Sequence, residues 1–340
     1  MVQQTKVIFC GVGALGSEMV KLVLEKPNLK IVAATDVFEK VIGQDLGRVA
    51  GLGHDLGMKV LGNPTEVLRT TEADVVLYAA EALFSQMFQT VRVALESRKN
   101  VISSGDEACF PWTKSPDLAQ RADELAKKSG VTFLGTGINP GFMMDFLPIA
   151  LTGIMKRVDK IMIRRVADTS TCGLNYWQQC GYGRSEDEFN KLLAEGVVGG
   201  GIHFREDMEM TARALGWDKI EYKEEKKPLV SKVRRKALSG VVEPRTVSGV
   251  EQGAHGFIEG KEVLTYHYDI IIHPEEDGLE TGTVITIEGD PGVVCSVTGE
   301  QAKQSWSTTA AILVNSIPRV LAAPPGVLSV YELPPARFMR

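Results

Sequence analysis

Apolar positions near the start of the chain alternate with amphipathic runs and predict alternating strands and helices. Residues 6–10 (KVIFC) form a continuous apolar run fit for a buried strand. Residues 11–16 (GVGALG) interrupt it, and the SEMVKLVLEK run that follows has helical periodicity. Residues 30–35 (KIVAAT) are apolar again and end in Asp36, twenty residues past Gly16. Residues 74–80 (DVVLYAA) then read as a strand, 84–97 as a helix, and 100–104 (NVISS) as a strand. Residues 115–129 read as a helix begun by Ser115 or Asp117, and 131–134 (VTFL) as a strand. Such alternation predicts a parallel sheet with right-handed crossovers. The glycine-rich stretch 43–57 fits neither period.

The pattern changes after residues 135–142 (GTGINPGF). Residues 160–166 read as a strand, and 186–195 and 205–215 as helices. From residue 221 onward strands are expected around 232–239, 250–258, 262–273 and 283–288. Glu259-Gly260, Asp277-Gly278 and Asp290-Pro291-Gly292 supply the turns. The charged runs at 221–227 (EYKEEKK) and 233–236 (VRRK) read as solvated faces of an edge hairpin. Gly199-Gly200-Gly201 has no strand before it and reads as a loop. Residues 306–321 predict a helix, broken by Pro324-Pro325-Gly326, and the VYELPPARF tail an extended arm. The expected fold class is α/β: a Rossmann-type doubly wound parallel sheet plus a second α+β domain with a largely antiparallel sheet. The expected boundaries are 1–140 for dinucleotide binding, 141–300 for substrate binding and dimerisation, and 301–340 for a helix and arm returning to the first domain.

The order strand, glycine turn, helix, strand and acid is the one a dinucleotide-binding unit requires. Gly11 permits the tight turn, Gly13 clears a path for a pyrophosphate, and Gly16 lets helix and strand pack closely. The helix start at Ala14 and Leu15 presents N–H groups and a positive dipole end to phosphates. Asp36 suits the adenosine ribose hydroxyls and repels a 2′-phosphate. NAD is therefore the expected cofactor, with NADP a second choice that Lys40 would help to admit.

Composition narrows the function classes. Of 340 residues, 44% are hydrophobic and 24% charged, which fits a soluble globule of two domains. A net charge of −5 without a basic stripe argues against a nucleic-acid partner. No apolar run nears the ~18 residues that span a bilayer. The opening MVQQTKVIF has no signal-peptide h-region, and a cytoplasmic protein is expected. The five cysteines are odd in number without CxxC spacing, and no histidine pair has zinc-site spacing, so no metal is expected.

Ligands of a doubly wound sheet bind past the carboxyl ends of its strands. Three ends are candidates here: Ala80-Glu81-Ala82, residues 103–107 (SSGDE) and residues 135–141 (GTGINPG). Ala80, Glu81 and Ser104 are candidate cofactor contacts. Asn139 would hold the nicotinamide carboxamide or a substrate group, or is simply a turn asparagine before Pro140. Glu107 precedes Ala-Cys-Phe-Pro-Trp, an apolar setting whose desolvation would raise its pKa toward that of a working base. The alternative for Glu107 is a surface acid near a helix start, and Asp106 is its less favoured neighbour. Phe142, Tyr176 and Trp177 are candidate pocket walls, and the two aromatics of CGLNYWQQC equally suit a domain core. His255, expected between strands, is a further substrate candidate or a structurally paired histidine.

GVGALG, SSGDE, GTGINPGFMMD and the closing TTAAILVNSIPRVLAAPPGVLSVYELP together resemble the 2,4-diaminopentanoate dehydrogenase family over nearly the whole chain. That family includes the native amine dehydrogenases, and its N-terminal domain is similar to dihydrodipicolinate reductase. The resemblance implies reversible oxidative deamination of an amine with NAD or NADP, reductive amination in reverse, and a catalytic glutamate at Glu107. One departure follows the DxST motif, Asp168-Thr169-Ser170-Thr171. The next residues, CGLNYW, carry no charge to clamp a substrate carboxylate, which favours an amine simpler than 2,4-diaminopentanoate. Rival readings are that diamino acid itself, a dihydrodipicolinate-reductase-like enzyme, and a non-catalytic NAD-sensing scaffold. SGDEACFPW argues against the reductase, whose dicarboxylate site is basic and histidine-rich. A homodimer joined through the strands around 250–273 is expected.

Overall fold

A computed structural model describes residues 4–199, 204–300 and 305–339. They divide into two compact units, one running to Phe146 and resuming at Ser305, the other beginning at Leu147. No described helix is long and apolar enough to cross a membrane.

The first unit begins β1 (Thr5–Cys10), α1 (Ala14–Leu24) and β2 (Leu29–Thr35). In α1 Leu15, Met19, Val20 and Val23 form the buried face, at the spacing of an amphipathic helix. The glycine-rich stretch that follows holds a short helix, α2 (Leu46–Val49), because the Asp45 side chain accepts the Gly47 N–H and caps it. Then come β3 (Val60–Leu61), α3 (Pro64–Thr70), β4 (Val75–Tyr78), α4 (Phe84–Glu96) and β5 (Asn100–Ser103). A 3-10 turn (Asp106–Cys109), α5 (Pro116–Ser129) and β6 (Thr132–Gly135) complete this stretch. Ser115 stands at the α5 N-cap, but its side chain makes no capping bond. Gly130 ends α5 in the left-handed region at φ +73°.

The second unit follows α6 (Phe146–Thr152) with β7 (Arg157–Asp168), α7 (Leu174–Cys180), α8 (Glu186–Ala194) and α9 (Phe204–Ala214). Its remaining strands are β8 (Glu221–Val230), β9 (Arg235–Ala237), β10 (Gly240–Val242), β11 (Val247–Ile258), β12 (Lys261–Ile271), β13 (Gly282–Asp290) and β14 (Val293–Thr298). Six of these form one sheet in the order β14-β13-β7-β12-β11-β8, antiparallel except where β7 runs parallel to β12. β9 and β10 form a separate ribbon. Gly200 and Gly201 of the triple-glycine run lie outside the described residues.

The chain then returns to the first unit as α10 (Ser305–Asn315), α11 (Ile317–Leu321) and β15 (Gly326–Leu328). α10 packs on α1. All seven strands of this unit are parallel, in the order β3-β2-β1-β4-β5-β6-β15. The order reverses direction between β1 and β4, the switch point where a doubly wound sheet opens a crevice. Beneath it Ile8, Val76, Phe84, Val101 and Phe133 share one apolar cluster, with the Phe84 and Phe133 rings edge-on at 5.6 Å. Each such side chain contributes roughly 1.5–3 kcal/mol by burial.

Several elements differ from the sequence expectation. The single helix over 306–321 is two, because Pro318 stands in the first turn of α11 and cannot donate into a continuous ladder. The VYELPPARF tail opens with a 3-10 turn, Val330–Glu332, and is irregular after it; just before it β15, which was not expected, joins the sheet beside β6. The charged run 221–227 is an edge strand, as its alternation allowed, but the strand expected over 232–239 is only β9. Within VRRK, Arg235 is fully buried rather than solvated. It donates to the Ser231 hydroxyl, to the Ile272 and His273 carbonyls and to Asp277. His255 lies inside β11, not between strands.

Candidate active site

The glycine turn after β1 has two different kinds of glycine. Gly11 takes φ +93°, and a Cβ there would meet the Ala79 carbonyl at 2.5 Å. A Cβ on Gly16 would stand 2.2 Å from the Gly11 carbonyl. Both are required by the protein's own packing. A Cβ on Gly13 would meet nothing within 4 Å among the described residues. The fold itself does not need glycine there, and an approaching pyrophosphate does. Gly13 is also the N-cap of α1, with no side-chain cap and no acid in the first turn, so the helix start at Ala14 and Leu15 is built to receive an anion.

Asp36 follows β2 and points back at this turn. One carboxylate oxygen accepts the Val12 N–H at 2.8 Å and the other the Phe38 N–H at 2.9 Å. The neighbouring strand ends are aligned by ladder bonds that run past the strands: Ala79 N–H to the Cys10 carbonyl, Ser104 N–H to that of Tyr78, and Thr136 N–H to that of Ser103. Ala80 is exposed and Glu81 half-buried. Burial, reinforced by the charge of Asp36, raises the Glu81 carboxyl above its ordinary range. One of its oxygens is buried without a hydrogen-bond partner among the described residues.

Glu107 sits on the 3-10 turn beyond β5 and is 7% exposed. Its Oε2 accepts the Phe84 N–H at 2.8 Å, so it also holds the first residue of α4. Its Oε1 lies 3.7 Å from the Lys114 ammonium. Two glycines permit this placement. A Cβ on Gly135 would stand 2.1 Å from the Ala108 backbone, and one on Gly105 would meet the Glu81 carbonyl at 2.8 Å. Asn139, past β6, has both amide atoms buried and unpartnered among the described residues. An orphaned carboxamide at a strand end is matched by the nicotinamide carboxamide, which offers one donor and one acceptor in return. Gly13, the uncapped α1 and Asn139 thus fit a dinucleotide.

Phe142 is half-buried and stacked on Phe146 at 5.8 Å. The other candidates belong to the second unit. Trp177 on α7 is buried edge-on to Tyr182 at 5.5 Å and packs where a Cβ on Gly240 would come within 3.1 Å of its ring, while Tyr176 is half-buried. His255 points to the sheet face opposite α9, with Nδ1 2.5 Å from Glu262 Oε1. Gly11, Gly13, Gly16, Asp36, Ala80, Glu81, Ser104, Glu107 and Asn139 therefore share the carboxyl edge of the first unit's sheet. Lys114 was not anticipated, nor was the packing of Gly135 on Ala108, although Gly135 opens a candidate strand end. Their roles depend on contacts with residues distant in the chain.

Comparisons with known proteins show the family. Residues 5–105 match the family model for the dihydrodipicolinate reductase N-terminus, and residues 142–340 that for the 2,4-diaminopentanoate dehydrogenase C-terminal domain. The chain is 32% identical to 2,4-diaminopentanoate dehydrogenase from Acetoanaerobium sticklandii, covering 98% of this chain and 95% of that one. It is 23% identical to an amine dehydrogenase from Streptomyces virginiae, over 95% and 94% of the two chains. The solved amine dehydrogenase from Mycobacterium smegmatis superimposes with a TM-score of 0.84 at 26% identity, over 98% and 97%. The chain belongs to the 2,4-diaminopentanoate dehydrogenase family, a family of dehydrogenases built on a dinucleotide-binding fold.

Proposed function

We propose that the protein is an NAD(P)-dependent amine dehydrogenase, oxidising an amine to a ketone or aldehyde with release of ammonia and running in reverse as a reductive amination. The observation that carries this reading is the Glu107 carboxylate, nearly enclosed at a strand end of the same sheet edge as Gly13 and Asn139. A nicotinamide dinucleotide held by Gly13, the start of α1 and Asn139 would supply the hydride acceptor for the amine-bearing carbon. Glu107 holds the substrate ammonium and takes an N–H proton so that the amine is neutral for hydride loss. That proton passes on to solvent, and the restored carboxylate then favours the cationic iminium formed from the substrate. The Phe84 N–H fixes one carboxylate oxygen, and the other, which faces the Lys114 ammonium at 3.7 Å, is the one that meets the amine. Glu107 next takes a proton from the water that adds to the iminium and returns it to the nitrogen of the resulting carbinolamine; ammonia then leaves with the hydroxyl proton, as ammonium, and the carbonyl forms. Asn139 orients the ring through its amide.

Asp36 supports NAD over NADP. Its carboxylate lies beside the glycine turn, and half-buried Glu81 adds a second acid in its field. A homodimer is supported by the sheet face opposite α9, where Val284 and Val294 are 40% and 72% exposed. Cys10, Cys172, Cys180 and Cys295, in no disulfide among the described residues, suit the reducing cytoplasm. Amine-dependent formation of reduced cofactor, followed by absorbance over a panel of amines, tests the reading. Tight NAD binding without turnover of any amine would instead favour the NAD-sensing scaffold.

A further inference from the structure

The 3-10 turn that carries Glu107 is held by contacts within the first unit. The Glu107 N–H donates to the Ala82 carbonyl at 3.2 Å and the Ala108 N–H to that of Gly105 at 3.0 Å. Cys109, buried on the same turn, donates its thiol to the Pro140 carbonyl at 3.4 Å. Oε2 of Glu107 accepts the Phe84 N–H. These bonds fix where the carboxyl stands. They leave its charge and the direction of Oε1 to be set by another group.

Lys114 is placed to set both. The Thr113 N–H donates to the Phe110 carbonyl at 3.3 Å and the Ser115 N–H to that of Pro111 at 3.0 Å, which turns the chain back just before α5. Lys114 stands in that turn with its ammonium 3.7 Å from Glu107 Oε1. The Glu107 side chain is 9% exposed and that of Lys114 35%. A hydrogen bond between an ammonium and a carboxylate spans about 2.7–2.9 Å. At the longer distance Lys114 acts by charge and leaves the lone pairs of Oε1 to another donor. Burial by itself favours the neutral form of a carboxyl, which cannot take a proton, whereas a cation nearby favours the ionised form. The other titratable groups on the elements around this turn bring no positive charge. Asp106 beside Glu107 is an acid, as is Glu81 on the loop that meets Gly105, and Cys109 is a buried thiol.

We propose that Lys114 is a positioning residue for amine oxidation, whose ammonium keeps the enclosed Glu107 carboxylate ionised and holds Oε1 in the direction from which the amine is met. This rests on the amine dehydrogenase reading and deepens it, because that reading needs a carboxylate at a place where burial favours an acid. The Phe84 N–H on one oxygen and the Lys114 charge beside the other together set the plane of the group. What residue 114 contributes is its charge, so an arginine serves there and a methionine does not.

The test is the pH dependence of kcat/KM in the wild type, Lys114→Met and Lys114→Arg, measured with an amine that the wild type oxidises. Lys114→Met moves the acidic limb of the profile up by roughly one pH unit, so its rate on that limb falls about tenfold, and the deficit narrows as the pH rises. Lys114→Arg keeps the limb near that of the wild type. A second readout needs no turnover. With a carbon isotope label at the glutamate side-chain carboxyls, magnetic resonance follows each carboxyl, and the Glu107 signal is the one lost in Glu107→Gln. Its titration midpoint moves up in Lys114→Met and stays in place in Lys114→Arg. A midpoint that stays in place in Lys114→Met overturns the proposal. So does a rate deficit equal at every pH and joined to a lower melting temperature, which would make Lys114 a strut of the turn before α5. If none of the three proteins oxidises any amine, the amine dehydrogenase reading fails, and the carboxyl titration still decides the role of Lys114.

Discussion

In the first unit the polar groups of the candidate site lie past the strand ends, whereas in the second a row of buried polar side chains lies along the strands. Glu81, Glu107 and Asn139 all follow the last residue of a parallel strand, where no ladder partner remains. Arg165 and Gln252 stand mid-strand, on a face that helices cover. A parallel sheet packed on both sides has no room for a site except at its ends. A mixed sheet with helices on one face can spend positions along that face on polar groups, at a cost in burial. The first arrangement separates folding from function, because interior residues serve packing and terminal loops serve chemistry. The second places polar side chains at positions that packing alone would give to apolar ones.

The strongest test of this separation is Glu107→Gln. The amide oxygen still accepts from the Phe84 N–H, so α4 keeps its start and the melting temperature holds. Loss of the base and charge lowers kcat for amine oxidation by about 10²–10⁴-fold. NAD affinity, measured by fluorescence titration, stays near wild type. Near-normal turnover would move the proposed base to Asp106, and lost NAD affinity would mean that Glu107 serves the fold of the cofactor site instead.

The glycines sharpen the same point. Gly16→Ala forces a Cβ to within 2.2 Å of the Gly11 carbonyl and costs roughly 1–3 kcal/mol of stability. Gly13→Ala meets open space and melts close to wild type. It weakens NAD by a similar roughly 1–3 kcal/mol, or about 5- to 150-fold in Kd, because the methyl stands where the pyrophosphate approaches. Equal effects of the two variants on melting would remove the distinction between packing glycines and ligand glycines.

What could be read from the sequence follows how local each rule is. The path from β1 through Gly11, Gly13 and Gly16 to Asp36 is fixed by neighbours in the chain, and its pattern is visible there. Glu107 was singled out from its apolar surroundings, but its bond to Phe84 spans 23 residues and has no sequence signature. Arg235 looked solvated because a charge run usually is. Only the fold brings Ile272, His273 and Asp277 around it. β15 has three residues, too few to show a period, and is held in place by β6. The mid-strand polar row was hidden for a related reason. Arg165 follows Arg164, which is exposed, and the chain does not say which of two adjacent arginines faces inward until the register is known.

Asp36→Ala probes the specificity part of the first unit. Removing the carboxylate frees the Val12 and Phe38 N–H groups and lifts the repulsion of a 2′-phosphate. The ratio of kcat/KM with NAD to that with NADP falls by about 10-fold, on the order of 1.4 kcal/mol. A wild type that already favours NADP would reverse the assignment.

The smallest effect belongs to the second unit's other sheet face, where polar groups are paired. Glu262 receives the Lys160 ammonium and lies 2.5 Å from His255 Nδ1. Burial pushes its carboxyl up, yet the bonds with Lys160 and His255 outweigh that and hold it from an ordinary 4.5 down to about 2. A carboxyl depressed in the folded state stabilises above its unfolded pKa, and that stability drains away as pH falls. The Glu262 contribution is therefore full above about pH 4.5 and gone near pH 2. Glu262→Gln lacks it. The stability gap between wild type and variant, taken from urea melts, should be under about 1 kcal/mol at neutral pH because the cluster is partly exposed. It should narrow steadily between those two pH values. A gap that stays constant on acidification would mean that the network's worth is in packing, and one that widens would reverse the sign assigned to Glu262.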